Sequence, residues 1–208
     1  PHTMYELFVT GAEGMEAACR SIVRFLAEES ARPWCQSIVV DSNHDNMLDR
    51  WLREADYRAD PVNALFFLRA QLAKYEAISK RDGSFHSCRN ALRSLGLTPG
   101  VRFLQEDESF VVLRGVAGGI ECGQHGHLGP DGARGTPRAL AKIGRRANTC
   151  HVHSTGIFDG LFVGGTSSVF ELRYARGPSS WSHSHVVTYR NGKRAIVTMW
   201  DGHWRAEG

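Results

Sequence analysis

Ser37-Ile38-Val39-Val40-Asp41-Ser42-Asn43-His44-Asp45 is the stretch on which the reading of this chain turns. The apolar run Ile38 to Val40 predicts a buried strand, and the polar residues behind it predict an abrupt exit. Asn-His-Asp at such an exit carries an amide oxygen and an imidazole to the carboxyl edge of a sheet, where open α/β folds place their chemistry. Upstream, Met15, Ala18, Cys19, Ile22, Phe25 and Leu26 recur at helical spacing and predict an amphipathic helix over residues 13–29, ended by Pro33. A short strand is expected before it, over Tyr5 to Val9. Helix followed by strand implies a crossover and a parallel sheet.

Downstream, Met47 to Arg53 reads as a short helix that Asp45 is placed to cap. Val62, Leu65, Phe66, Leu72 and Tyr75 mark a longer helix started by Pro61. Phe85, Cys88, Leu92 and Leu95 mark a third, closed by Gly96, so residues 46–96 form a helical insertion beside the sheet. From Val101 the pattern changes to short β runs at 101–104, 110–113, 119–122, 147–150 and 161–163. Asn191-Gly192, flanked by His185 to Arg190 and Lys193 to Trp200, predicts a two-residue type I′ hairpin.

The 208 residues are 42% hydrophobic and 23% charged, which suits a globular domain rather than a disordered chain. No window reaches the roughly 18 uninterrupted apolar residues that span a bilayer, so no membrane partner is expected. Five widely spaced cysteines without a Cys-x-x-Cys pair support neither a zinc ribbon nor a disulfide framework, and imply a reducing, cytoplasmic setting. A net charge of +3 is too small to demand a nucleic-acid partner. Pro1-His2-Thr3 reads as a cloning remnant, leaving residues 4–208 as a single expected domain.

Of ten histidines, seven follow residue 120, and four of those form two clusters: His125-Gly126-His127 and His151-Val152-His153. Both clusters follow predicted strands. Asn43, His125, His151 and His153 thus offer one amide oxygen and three imidazoles, a donor set suited to Mn, Fe or Zn. A metal pair roughly 3.5–4 Å apart would clamp the attacking and leaving oxygens of a phosphoryl transfer. His44 would then be free to protonate the leaving oxygen. His127, His183, His185 and His203 read instead as surface, hairpin or supporting residues. The Gly-rich segment 126–135 adjoins a basic tract, in which Arg134 and Arg138 are candidate substrate contacts.

In order and spacing these clusters resemble the later signature of the calcineurin-like metallophosphoesterases. Ser42-Asn43-His44-Asp45 stands for the Gly-Asn-His-Asp block, His125 for the lone histidine, and Cys150-His151-Val152-His153 for Gly-His-x-His. More narrowly, Asp49-Arg50-Trp51-Leu52, residues 121–135 and residues 177–204 resemble phage DNA-transfer proteins of the pre-early class that carry such a domain. The resemblance implies a metallophosphoesterase-like β-sandwich flanked by helices, in an α/β fold. It implies that Asn43, His125 and His151 hold one divalent ion and His153 contributes to a second, with Mn2+ first and Fe, Zn or Ni as alternatives. It further implies hydrolysis of phosphomonoesters or phosphodiesters, in nucleotides or DNA, in a host cytoplasm. The family's early Asp-x-His and Gly-Asp have no counterpart before Asn43, so the expectation is the C-terminal part of such a domain, lacking its N-terminal strands. An exposed sheet edge would then favour a homo-oligomer.

Two other readings stay open. One is a catalytically inactive phosphoesterase-like scaffold or nucleic-acid/protein-binding module, served by the basic tract and by Trp181, Trp200 and Trp204. The other is a mononuclear histidine site involving Cys122 and Cys150.

Overall fold

A computed structural model describes residues 14–168, 170, 177–200 and 203–204. The strand expected over Tyr5 to Val9 lies outside them. The architecture is mixed α/β, with five α-helices and three sheets among the described residues. The chain forms two compact units: residues up to Val39 with Asn43–Phe103, and Val40–Ser42 with Leu104 onward.

The first unit is mainly helical: α1 (Met15–Ser30), α2 (Asp45–Glu54), α3 (Ala64–Ser79) and α4 (Ser87–Ser94). Two short strands, β1 (Ile38–Val39) and β2 (Arg102–Phe103), pair in parallel as Ile38↔Arg102 and Val39↔Phe103. The helical block 46–96 is therefore the crossover between these strands. Its core holds Phe67, Leu52, Ala91 and Leu92, with Trp51 edge-on to Phe67 at 4.8 Å. Asp49 ties three helices together, accepting from Lys74 Nζ and Ser87 Oγ, each at 2.6 Å. Burial alone would raise the Asp49 carboxyl, yet these two donors hold it below its ordinary value.

Two helix starts differ from expectation. Asp45 is the first residue of α2 rather than its cap; the cap position belongs to His44, which makes no side-chain capping bond. Asp45 still favours the helix, since a carboxylate in the first turn complements the positive end of the dipole. α3 begins three residues after Pro61, at Ala64. Asn63 precedes it with its side chain committed elsewhere, its oxygen accepting from Met15 N at 2.6 Å and its amide nitrogen donating to Asp60 at 2.8 Å.

The second unit is built on a five-stranded mixed sheet of β3 (Val111–Val112), β4 (Ile120–Glu121), β5 (Ala147–Thr149), β6 (Gly156–Phe158) and β7 (Leu161–Val163). The spatial order is β3-β4-β5-β7-β6; β4, β5 and β7 run parallel, and the two outer strands run antiparallel to them. Ile120, Leu161 and Val163 are fully buried, and the short helix α5 (Pro137–Ala141) packs Leu140 against Leu161 and Val163. The remaining sheet comprises β8 (His183–Thr188), β9 (Arg194–Trp200) and β10 (His203–Trp204). Arg194 fastens this sheet to the first, donating to the carbonyls of Ala147 and Gly160, each at 2.7 Å.

The hairpin chemistry departs from expectation in an instructive way. β8 and β9 pair from His183↔Met199 to Thr188↔Arg194, and Tyr189 N still reaches Lys193 O. The loop is therefore three residues, 190–192, and only Gly192 takes positive φ (81°). That is a turn followed by a glycine bulge, not the type I′ turn, which needs two left-handed residues. The type I′ pattern occurs at Asp159-Gly160 (φ 43° and 86°), which joins β6 to β7 with Phe158 opposite Leu161.

Candidate functional site

β4 and β5 run parallel and side by side, so the segments leaving their carboxyl ends emerge at one edge of the sheet. Gly123-Gln124-His125 follows β4, and Cys150-His151 follows β5. Cys150 N donates to His125 O at 3.0 Å, which stitches the two exits together. The result is an imidazole pair, with His151 Nδ1 facing His125 Nε2 at 3.3 Å. His127 joins them, its ring centroid 5.5 Å from that of His125 and 6.1 Å from that of His151.

Glycines permit this close approach. Gly126 sits at φ 106°, and a Cβ there would lie 2.7 Å from Thr149 Oγ1. A Cβ on Gly135 would lie 1.9 Å from Gly126 O, because Gly135 N returns to bond His127 O at 2.8 Å. The chain between them is a closed loop, which holds His127 beside the pair. His151 and His153 both adopt left-handed backbone, at φ 71° and 61°. This conformation is uncommon for non-glycine residues, costs on the order of 1–3 kcal/mol, and clusters at functional sites. Ser42 and Cys150, at the two turns where the resemblance expects glycine, are not among the positive-φ residues, so both are sterically tolerated.

Two cavities open beside the pair, and His125 lines both. The smaller, about 210 Å³, carries Asp41, Glu106 and Asp107 together with His125 and His127. The larger, about 420 Å³, is walled by Asn148, Thr149, Thr166, Ser184 and His185. Cys122 also lines the larger one, and burial pushes its thiol up.

The remaining expected residues are placed as follows. His153 packs edge-on against Trp181 at 4.4 Å rather than within the three-imidazole group. Arg134 pairs with Leu128 at the base of the loop after His127. Arg138 sits on α5 and lines a separate cavity with Phe158 and Asp159. Asn43 and His44 belong to the helical unit. The Asn43 Oδ1 atom is buried and has no hydrogen-bond partner among the described residues, while His44 is exposed at the start of α2. His127, which the sequence reads as a surface, hairpin or supporting residue, adjoins the pair, and Asp41, Glu106 and Asp107 line the same cavity; Gly126 and Gly135, which bracket the loop, are the sequence signal for the position of His127.

The donor chemistry was tested against a divalent ion. Two imidazole nitrogens bound to one metal at about 2.0–2.1 Å lie about 2.8–3.4 Å apart for angles between roughly 90° and 109°. The His125–His151 separation of 3.3 Å falls in that range. Among the described residues, however, no group of three or more His, Cys, Asp or Glu side chains converges as a complete metal site. The pair fits two vertices and does not itself close a coordination shell.

Comparison with known proteins adds one relationship. Protein A1 of Escherichia phage T5 is 39% identical to this chain over 178 residues, which covers 84% of this chain and 31% of that protein. This chain thus spans just under a third of the length of the curated relative it matches. No family model and no solved structure matches. No helix among the described residues is long and apolar enough to cross a membrane.

Proposed function

We propose that the carboxyl edge of this sheet is the histidine portion of a metal-dependent phosphohydrolase centre. The observation that carries the reading is the His125–His151 pair, 3.3 Å apart, on the adjoining exits of two parallel strands. A divalent ion, Mn2+ first, would be held by these two imidazoles, and when bound it would supply Lewis acidity toward a phosphate oxygen. His125 and His151 must be neutral to present lone pairs, and their loop closure fixes the ring orientations beforehand. His127, adjacent to both, is placed to accept or donate a hydrogen bond at a bound ester. The roles that the resemblance implies for Asn43 as ligand, His44 as proton donor and His153 as a second-ion ligand are parts of the same proposal. Arg134, on the loop after His127, would contact substrate; Arg138, which lines another cavity, is the weaker candidate.

The test is titration of Mn2+ into the chain, followed by hydrolysis of an aryl phosphate. A neutral donor set predicts weak affinity, on the order of 10⁻⁴ M, since ligand charge tunes divalent-ion binding. Binding should strengthen from pH 5.5 to 7.5 as the imidazoles lose protons, and H125A and H151A should each abolish it. Metal binding indifferent to both substitutions would sink the proposal. A second reading, a catalytically inactive phosphoesterase-like scaffold, is favoured by the absence of a converging third ligand among the described residues. It predicts no ester hydrolysis at any metal loading.

A further inference from the structure

The opposite edge of the same sheet carries different chemistry. Arg114 follows β3, Gly118-Gly119 lead into β4, and Gly144-Arg145-Arg146 lead into β5; all six line one cavity of about 560 Å³. Because β4 and β5 are parallel, this is the amino edge, remote from the histidine exits at their carboxyl ends. The three glycines take φ values of 78°, 86° and 73°. At Gly118 and Gly144 an added Cβ would meet nothing within 4 Å, so the backbone lies open to the cavity.

None of the three guanidiniums forms an ion pair with a described residue. Arg146 is oriented by the carbonyl of Gly192, in the β8–β9 loop. Glu121 also lines the cavity; its carboxylate accepts from Ser109 Oγ, Phe110 N and Gly123 N and stays ionised, so three guanidiniums face one negative charge. Three cations against one carboxylate leave the cavity net positive, and an anion entering it offsets that surplus. Guanidinium forks match phosphate oxygens bidentately, and the volume lies within the usual range for small-ligand sites.

We propose that this cavity binds the phosphate groups of a small polyphosphorylated ligand, of the di- or triphosphate class, at a site separate from the histidine edge. Convergence of the arginines on one recess, rather than a stripe along the surface, favours a compact phosphate chain over a nucleic-acid backbone. The inference is independent of the phosphohydrolase reading.

The experiment is calorimetric titration of inorganic pyrophosphate into the full chain, at low salt with EDTA present so that no metal recruits phosphate elsewhere. Expected is saturable binding with a dissociation constant on the order of 10⁻⁵ M. R114Q and R145Q should each weaken it roughly tenfold, as loss of a charge-assisted contact does, with thermal unfolding unchanged. Pyrophosphate should also slow amide exchange in residues 144–147 of the wild type, a readout that needs no variant to fold. H125A should bind pyrophosphate normally. Four results would overturn the proposal: no binding at millimolar pyrophosphate, binding unaffected by both arginine substitutions, binding abolished by H125A, or binding of single-stranded oligothymidylate without binding of pyrophosphate.

Discussion

Arg194 is the side chain on which the sheet unit depends, and its replacement gives the sharpest test of the fold. Its guanidinium donates to Ala147 O and Gly160 O at 2.7 Å and to Asn148 Oδ1 at 3.1 Å, and lies over the Phe162 ring at 4.0 Å. The acceptors span β5 and the β6–β7 turn, so one residue on β9 bridges three strands. Arg194→Met keeps the aliphatic stem and deletes the charge. Each charge-assisted bond to a neutral acceptor is worth about 1.5–3 kcal/mol gross, and the cation–π contact about 1 kcal/mol. Against this stand the burial that lowers the Arg194 pKa and the repulsion from Arg146, both relieved by the substitution. Partial cancellation leaves a net loss of about 3 kcal/mol, within the range for breaking a buried hydrogen-bond network. Hydrogen exchange read by mass spectrometry localises the effect: peptides over 145–165 and 183–200 should exchange faster, and those over 64–94 should not change. Loss of less than about 1 kcal/mol in the sheet peptides, or equal loss in the helical ones, would refute the argument.

Three further outcomes follow from named groups. Burial alone would raise the Glu121 carboxyl, but Ser109 and the amides of Gly123, Phe110 and Cys122 hold it below its ordinary value. Its stabilisation is therefore full above the unfolded value near 4.3 and is lost as pH falls through the lower folded value; Glu121→Gln should cost about 1–3 kcal/mol at pH 7 and flatten the acid limb of a urea midpoint-versus-pH plot. Burial, with Asp45 beside it, pushes the Cys88 thiol up to about 12, so iodoacetamide at pH 8 should label exposed Cys35 at least about a hundredfold faster, as peptide mapping would report. Gly165→Ala places a Cβ 1.9 Å from the Ser182 carbonyl, and should detach the 164–166 segment from β8 at a cost of about 2–4 kcal/mol, seen as a fall in the unfolding midpoint.

Much of the element order was legible because it rests on local pattern. The five expected β runs from 101 to 163 all contain strands, and helices occupy 45–54, 64–79 and 87–94 inside the expected helical block. The closing Gly96 is left-handed at φ 98°, as a helix-ending glycine should be. What failed was turn chemistry and approach distance. Asn191-Gly192 and Asp159-Gly160 carry equivalent type I′ signals, yet the register fixed by six β8–β9 pairs leaves three residues to close the first loop and two the second. β6 escaped notice because Gly156-Ile157-Phe158 is too short to show alternation. The proximity of His125 and His151 followed from both being strand exits. The addition of His127 did not, because it depends on a backbone contact between Gly126 and Gly135 that no hydrophobic period records.

The charge layout at the histidine edge constrains any phosphate chemistry there. The cavity holding His125 and His127 also presents Asp41, Glu106 and Asp107, so it is acidic overall when the imidazoles are neutral. A phosphate ester entering such a cavity would meet repulsion from like charge, moderated by solvent because Glu106 and Asp107 are exposed. A divalent cation on the imidazole pair would offset two of the three carboxylate charges and give a phosphate oxygen a positive centre to meet. Bare protein should then bind phosphate at the arginine edge and not at the histidine edge, and metal should add the second location without altering the first. Phosphate binding that requires metal at both edges would be incompatible with this division, because the three guanidiniums of the arginine cavity already outnumber its one carboxylate.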